Sequence, residues 1–184
     1  MKNILLATSN LGKVEEISKH LEKFGIKVIG KEVEMPETGD SQEIIAKGKA
    51  EYAVGRLKEP VIVEDTGLYF DAYKNFPGIR SKFVFRAIGY EGILKLLEKK
   101  SRNAYFKTVM VYCESNKEPK IFVGLNKGKI SESVRGVSHP RLPYDSIFMP
   151  DGDDRTFAEM GKEEKAKYSA RAKAAEAFGK WFTR

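Results

Sequence analysis

VIVEDTGLYFDAYKNFPGIRS, residues 61–81, is the stretch around which the rest of the chain is organised. Val61, Ile62 and Val63 form a β-branched run that reads as a buried strand. Glu64 and Asp65 follow at once and, on this reading, sit at the strand's end. Gly67 breaks the run and gives the backbone room to turn. Pro77-Gly78 marks a second turn, and an apolar, helical stretch resumes near Phe83. Two adjacent carboxylates at the mouth of a buried strand are costly to place unless something positive or polar meets them. The candidates are a metal ion, a lysine, or water around two solvated loop acids.

Upstream, Asn3–Thr8 (NILLAT) reads as a first strand. Ser9-Asn10-Leu11-Gly12-Lys13 is a short polar turn, and a helix follows with Val14, Ile17, Leu21 and Phe24 on one face. Gly25 ends it, and Ile26–Ile29 reads as a second strand. The chain therefore opens β–loop–α–β, the start of an α/β domain. Ser9, Asn10 and Lys13 lie where a strand hands over to a helix N-terminus, whose free N–H groups and dipole favour an anion. A lysine in the first turn runs against that dipole, and a phosphate between it and the helix end would explain it. The alternative is that Asn10 caps the helix and Lys13 points at solvent.

Residues 31–40 form an acidic loop that carries Glu37. A helix is expected over 41–57, with Ala46, Ala50, Ala53 and Leu57 on one face and Lys49 within it. After the central stretch, 78–88 and 91–100 read as helical. Residues 104–113, 120–125 and 128–134 read as antiparallel strands, with a turn at Asn126-Lys127-Gly128. The turn-rich segment 137–150 carries His139, a surface loop residue on this reading, together with Tyr144, Asp145 and Phe148. Phe148 suits a core better than Tyr144, and a loop of this composition suits a ligand lid or a base-stacking platform. Residues 161–182 read as one helix, with Tyr168, Ala172, Ala175, Phe178 and Phe182 in a stripe and Lys165 and Arg171 beside it.

The chain has 184 residues, of which 41% are hydrophobic, so it can bury a sizeable core. No apolar run approaches the ~20 residues of a membrane-spanning helix. The N-terminal stretch lacks the pattern of a secretory signal. Cys113 is the one cysteine, which rules out an internal disulfide and suggests a reducing, cytoplasmic setting. It lies in a strand-like run and reads as a buried thiol. The net charge of +7 points to an anionic partner, such as a phosphorylated small molecule or a nucleic acid. No linker or repeat is visible, so 1–184 is read as a single domain.

Singly these signals are weak, but their order is distinctive. The segments T8-S-N-L-G-K13, P36-E37, E64-D-T-G-L68, F76-P-G78, P143-Y-D-S-I-F148, A158-E-M160 and K165-A-K-Y-S-A-R171 resemble the inosine triphosphate pyrophosphatase family, also called XTP/dITP diphosphatases. The resemblance covers essentially the whole chain. It implies an α/β fold with a long twisted mixed sheet flanked by helices, and two lobes enclosing a central cleft. It implies a Mg²⁺-dependent enzyme that splits deaminated purine nucleoside triphosphates at the α–β bond, cleansing the nucleotide pool. A cytoplasmic homodimer, with no membrane association and no stable nucleic-acid partner, goes with it.

Carried over residue by residue, the resemblance makes Asp65 the water-activating residue, with Lys13 as its catalytic companion. Glu37, Glu64 and Asp65 become the metal ligands. Thr8, Ser9, Asn10, Lys13, Lys49, Thr66 and Lys82 become phosphate-side residues. Tyr144 and Asp145 fall on the base side, and Lys165 and Arg171 form a C-terminal clamp for phosphate and base. Two positions depart from the family pattern: Ser169-Ala170-Arg171 lacks a histidine, and Leu142-Pro143 stands where Phe-Gly is usual. Both lie on the base side, which implies relaxed base choice. The rival readings are a nucleotide-binding protein with weakened catalysis and a basic nucleic-acid-binding protein.

Overall fold

Alternation along the strands builds the core. The computed structural model describes residues 2–137 and 142–184. In chain order the elements are β1 (Lys2–Ala7), α1 (Leu11–Leu21), β2 (Ile26–Lys31), α2 (Gln42–Leu57), β3 (Val61–Phe70), β4 (Pro77–Gly78) and α3 (Ser81–Leu96). They are followed by β5 (Asn103–Cys113), β6 (Lys120–Ile130), β7 (Phe148–Pro150), α4 (Lys162–Ala166) and α5 (Ala170–Phe182). The strands form one mixed seven-stranded sheet in the order β2-β1-β3-β5-β6-β7, with β4 paired to β3. β1 runs parallel to both β2 and β3, whereas β4 is antiparallel to β3 and β7 to β6. The helices flanking it make this an α/β protein.

By its contacts the chain falls into two compact units. One comprises residues 1–66, 108–124 and 170–184, and the other residues 67–107 and 125–169. In the first unit, successive strand residues face opposite sides of the sheet. Ile4, Leu6, Ile62, Met110 and Tyr112 pack on Ile17 and Leu21 of α1 and on Ala174, Ala175 and Phe178 of α5. Leu5, Ala7, Val61, Val63, Val109 and Val111 pack on Ala46, Ala50, Ala53 and Val54 of α2. Cys113 is buried in that second layer, and burial raises its thiol pKa, as expected of an inert thiol. The core of the other unit gathers Leu68, Phe70, Ile93, Leu97, Ile130, Ile147, Phe148 and Phe157.

Four expectations need correction. Gly67 does not end the strand, because β3 continues to Phe70. Its missing side chain serves a close approach instead: a Cβ there would lie 2.9 Å from the Gly78 carbonyl carbon, where β4 pairs with β3. Glu64 and Asp65 are therefore mid-strand residues. Residues 126–128 make no turn, since β6 runs unbroken from Lys120 to Ile130. The 161–182 helix is two helices, with Lys167–Ser169 between them. The expected break between residues 88 and 91 is present, as Gly89 adopts φ 59°, ψ −165° inside α3, which no helix accommodates.

Candidate active site

The alternation of β3 sets the geometry of its acids. Val61 and Val63 face α2, and Ile62 faces α1 and α5. Asp65 continues the first face and Glu64 the second. Adjacent in sequence, the two carboxylates are thus delivered to opposite layers.

On the α2 side, Lys49 is the centre of a charged cluster. Ser41 caps α2 by accepting from the Ile44 N–H. The small residues Ala46, Ala50 and Ala53 let the helix lie close on the sheet, which buries Lys49 with them. Its Nζ donates to Glu37 Oε1 at 2.5 Å and to Asp65 Oδ1 at 3.2 Å. Burial pulls the Lys49 pKa down, but the Asp65 and Glu37 carboxylates outweigh it and the net shift is upward. Lys49 is therefore a firm cation. Glu37 comes from the irregular segment after β2 and is well exposed. Gln42 Nε2, in the first turn of α2, donates to the Asp65 carbonyl at 2.8 Å and fixes the backbone beneath the carboxylate.

On the other side, the Glu64 side chain is wholly buried, at 0% exposure. Lys13 Nζ lies 2.6 Å from Glu64 Oε2, at ion-pair distance though without hydrogen-bond alignment, and donates to the Glu64 carbonyl at 3.2 Å. Arg171 Nε lies 3.2 Å from Glu64 Oε1, and Arg171 also pairs with Glu16 of α1. Thr66 Oγ1 donates to Glu64 Oε1 and shares a 2.7 Å hydrogen bond with Thr108. Burial would raise the Glu64 pKa, but the Lys13 and Arg171 charges overcome it and hold the carboxyl at about 2. Arg171 is correspondingly raised, burial being outweighed by Glu64 and Glu16.

The opening loop keeps one half of the capping alternative and departs from the other. Asn10 does cap α1, its side chain accepting from the Gly12 N–H at 3.0 Å. Lys13 does not point at solvent, because Glu64 holds it. Thr8 is buried and its hydroxyl accepts from the Asn10 N–H at 3.1 Å, while Ser9 and Asn10 are exposed. Thr8, Ser9, Asn10, Lys13, Lys49, Thr66 and Arg171 thus belong to one unit together with the three acids.

Lys82, Tyr144, Asp145 and Lys165 belong to the other unit. Lys82 is exposed on the first turn of α3. Tyr144 is a core residue: its ring meets Phe85 edge-on and its hydroxyl donates to the Ser81 carbonyl at 2.8 Å. Burial raises its phenol pKa. Asp145 and Lys165 form an ion pair, and the Lys165 ammonium sits 5.2 Å from the centre of the Phe157 ring. His139 lies outside the described residues.

The expectation of three acids around one metal is not what the geometry gives. Among the described residues, no three His, Cys, Asp or Glu side chains gather as a metal-binding group. Strand alternation separates Glu64, and its carboxylate is already met by two cations and a hydroxyl. Glu37 and Asp65, by contrast, converge on one cation, the Lys49 ammonium. Two carboxylate oxygens around one positive charge suit Mg²⁺, which binds one or two carboxylates and completes its shell with water and phosphate oxygens. The residues present therefore fit the metal with Glu37 and Asp65 as its holders and Glu64 apart.

Sequence reasoning missed three members of these clusters. Gln42 and Thr108 act through strand and helix packing, which no local motif marks. Glu16 had a signal: it lies one turn beyond Lys13 on a face that must meet the basic end of α5.

Among the described residues no helix is long and apolar enough to cross a membrane. Residues 4–181 match the model of the Ham1 family. A dITP/XTP pyrophosphatase of Methanopyrus kandleri is 46% identical over 97% of this chain and 95% of its own length. A dITP/XTP pyrophosphatase of Thermococcus kodakarensis is 42% identical over 97% and 96%. Among solved structures, a HAM1 protein from Coxiella burnetii aligns with a TM-score of 0.83 and 29% identity, covering 100% of this chain and 99% of that one. The family model spans nearly the whole sequence and relatives at 42% and 46% identity cover 97% of it, so the chain belongs to the Ham1 family.

Proposed function

We propose that the protein is a house-cleaning nucleoside triphosphate pyrophosphatase that hydrolyses deaminated purine nucleotides, ITP, dITP and XTP, to the monophosphate and pyrophosphate. The observation that carries this reading is the Glu37–Lys49–Asp65 cluster in a chain 46% identical to a dITP/XTP pyrophosphatase. Water is the nucleophile and the α-phosphorus its target. The Asp65 carboxylate takes the proton of the attacking water. Lys49 and Lys13 are ammonium groups at the two faces of β3 and neutralise phosphate oxygens. The free N–H groups at the start of α1 add to that neutralisation. Mg²⁺, held by Glu37 and Asp65, would supply further charge neutralisation and polarise the water.

On the base side, Ala170 and Leu142 supply no hydrogen-bond donor from their side chains. A site without a dedicated donor for the purine 6-oxo group discriminates less sharply between bases, so base choice is relaxed. The test is pyrophosphate release from ITP, XTP, GTP and ATP with and without Mg²⁺. The expected result is Mg²⁺-dependent release, fastest with ITP and XTP. Release from no triphosphate would overturn the reading, and equal rates with all four purines would overturn the preference for deaminated bases.

A further inference from the structure

We propose that Glu64 is a positioning residue that holds Lys13 and Arg171 ready for a polyphosphate, and that it is not a metal ligand. The proposal deepens the hydrolase reading above and rests on it for the identity of the substrate. Each oxygen of one buried carboxylate faces a different cation: Oε2 faces Lys13 Nζ at 2.6 Å and Oε1 faces Arg171 Nε at 3.2 Å. The two cations come from α1 and α5, elements far apart in sequence, and β3 joins them.

Exposure decides what an incoming ligand meets. The Lys13 and Arg171 side chains are each 21% exposed, whereas Glu64 is at 0%. A solute anion thus encounters the cations and never the carboxylate that holds them. Lys13 is docked twice, on the Glu64 carboxylate and on its carbonyl, and an ammonium has three donors. The ion pair and the carbonyl hydrogen bond hold the ammonium in place, and it keeps donors for an incoming phosphate oxygen. A cation fixed before the ligand arrives loses less rotamer entropy on binding than a mobile lysine does. Thr66 and Thr108 complete the support by hydrogen bonding behind the carboxylate.

A metal-ligand role and a positioning role make opposite predictions for Glu64→Gln when no metal is present. The probe is inorganic tripolyphosphate in EDTA, with binding measured by calorimetry. If Glu64 positions the cations, Kd rises about tenfold in the variant. If it were a metal ligand, its negative charge would oppose the polyphosphate, and the variant would bind with equal or greater affinity. That outcome overturns the proposal. Glu64→Asp, which keeps the charge on a shorter arm, should recover part of the lost affinity. With nucleotide and Mg²⁺, the variant should show a raised KM and an unchanged half-saturating Mg²⁺ concentration. A raised Mg²⁺ requirement at unchanged KM also refutes the assignment.

Should Glu64→Gln fail to fold, Thr66→Val removes a supporting hydroxyl and leaves the charge in place. Its Kd should rise two- to threefold, and an unchanged Kd would count against the proposal. The tripolyphosphate measurement is independent of turnover. A wild-type protein that binds tripolyphosphate but releases no pyrophosphate would sink the hydrolase reading and leave the positioning role to be judged by the variants.

Discussion

Lys49→Met is the perturbation that most directly tests the Glu37–Lys49–Asp65 cluster. Methionine keeps most of the stem and removes the charge. At the 3.2 Å separation from Asp65, the gross Coulomb attraction is about 5 kcal/mol at an effective dielectric constant of ~20. Lys49 and Asp65 are 8% and 17% exposed, so the pair is mostly desolvated, and breaking such a pair costs about 3 kcal/mol net. Glu37 is 70% exposed and turns to water at a cost of under about 1 kcal/mol. For a chain of this size, 3 kcal/mol corresponds to a fall in Tm of about 6–12 °C.

Mg²⁺ then supplies the diagnostic. In the variant the two carboxylates lack their cation, so a divalent ion no longer competes with an ammonium. At ten times its Kd it should return about 1.4 kcal/mol, or about 3–6 °C in Tm. The assay is differential scanning fluorimetry of wild type and Lys49→Met across a Mg²⁺ titration, with Lys49→Met/Asp65→Asn as the control that loses the gain. A Mg²⁺-induced rise no larger in Lys49→Met than in wild type would refute the assignment of Glu37 and Asp65 as metal holders.

Three further outcomes are expected. Gly124→Ala places a Cβ 1.9 Å from the Ala170 carbonyl oxygen and 2.8 Å from the Ala174 nitrogen; both are backbone atoms, so thermal unfolding should reveal a loss of at least ~2 kcal/mol, and an unchanged Tm would contradict the packing of β6 on α5. Tyr144→Phe deletes the hydrogen bond to the Ser81 carbonyl and should cost about 1 kcal/mol in a denaturant titration. The Glu159 carboxyl is held below its ordinary pKa chiefly by the Thr156 N–H, against a smaller burial effect, with Arg135 assisting. Its contribution to stability is therefore full above the unfolded value of about 4.5 and is lost as pH falls through the depressed value; Glu159→Gln should flatten the decline of Tm below pH 4.5, and a decline as steep as in wild type would argue against it.

The opening β–loop–α–β unit was legible because its signals are local. Val14, Ile17 and Leu21 repeat at helical spacing, and Asn10 is a capping residue in the right place. The helix over 42–57 was legible for the same reason. What sequence reasoning lost is non-local. Gly67 reads as a breaker unless one knows that Gly78 folds back on it. Lys167–Ser169 carries no proline or glycine, so Ser169, a residue type that begins helices, is the one local mark of the boundary between α4 and α5. The gathering of three acids rests on the resemblance, and the adjacency of Glu64 and Asp65 suits it only if both lie in a loop. Once the two lie within a strand, period two sends them apart, and their partners can be found only through the packing of α1, α2 and α5.

The placement of Glu64 and Asp65 on one strand has a consequence for how the segment tolerates change. Inserting or deleting a single residue between Val61 and Glu64 would exchange the layers that the two acids address. The shorter aspartate would then be offered to Lys13 and Arg171, and the longer glutamate to Lys49. The pair is therefore not commutative: the order Glu-Asp decides which carboxylate meets Lys49 and which meets Lys13 and Arg171.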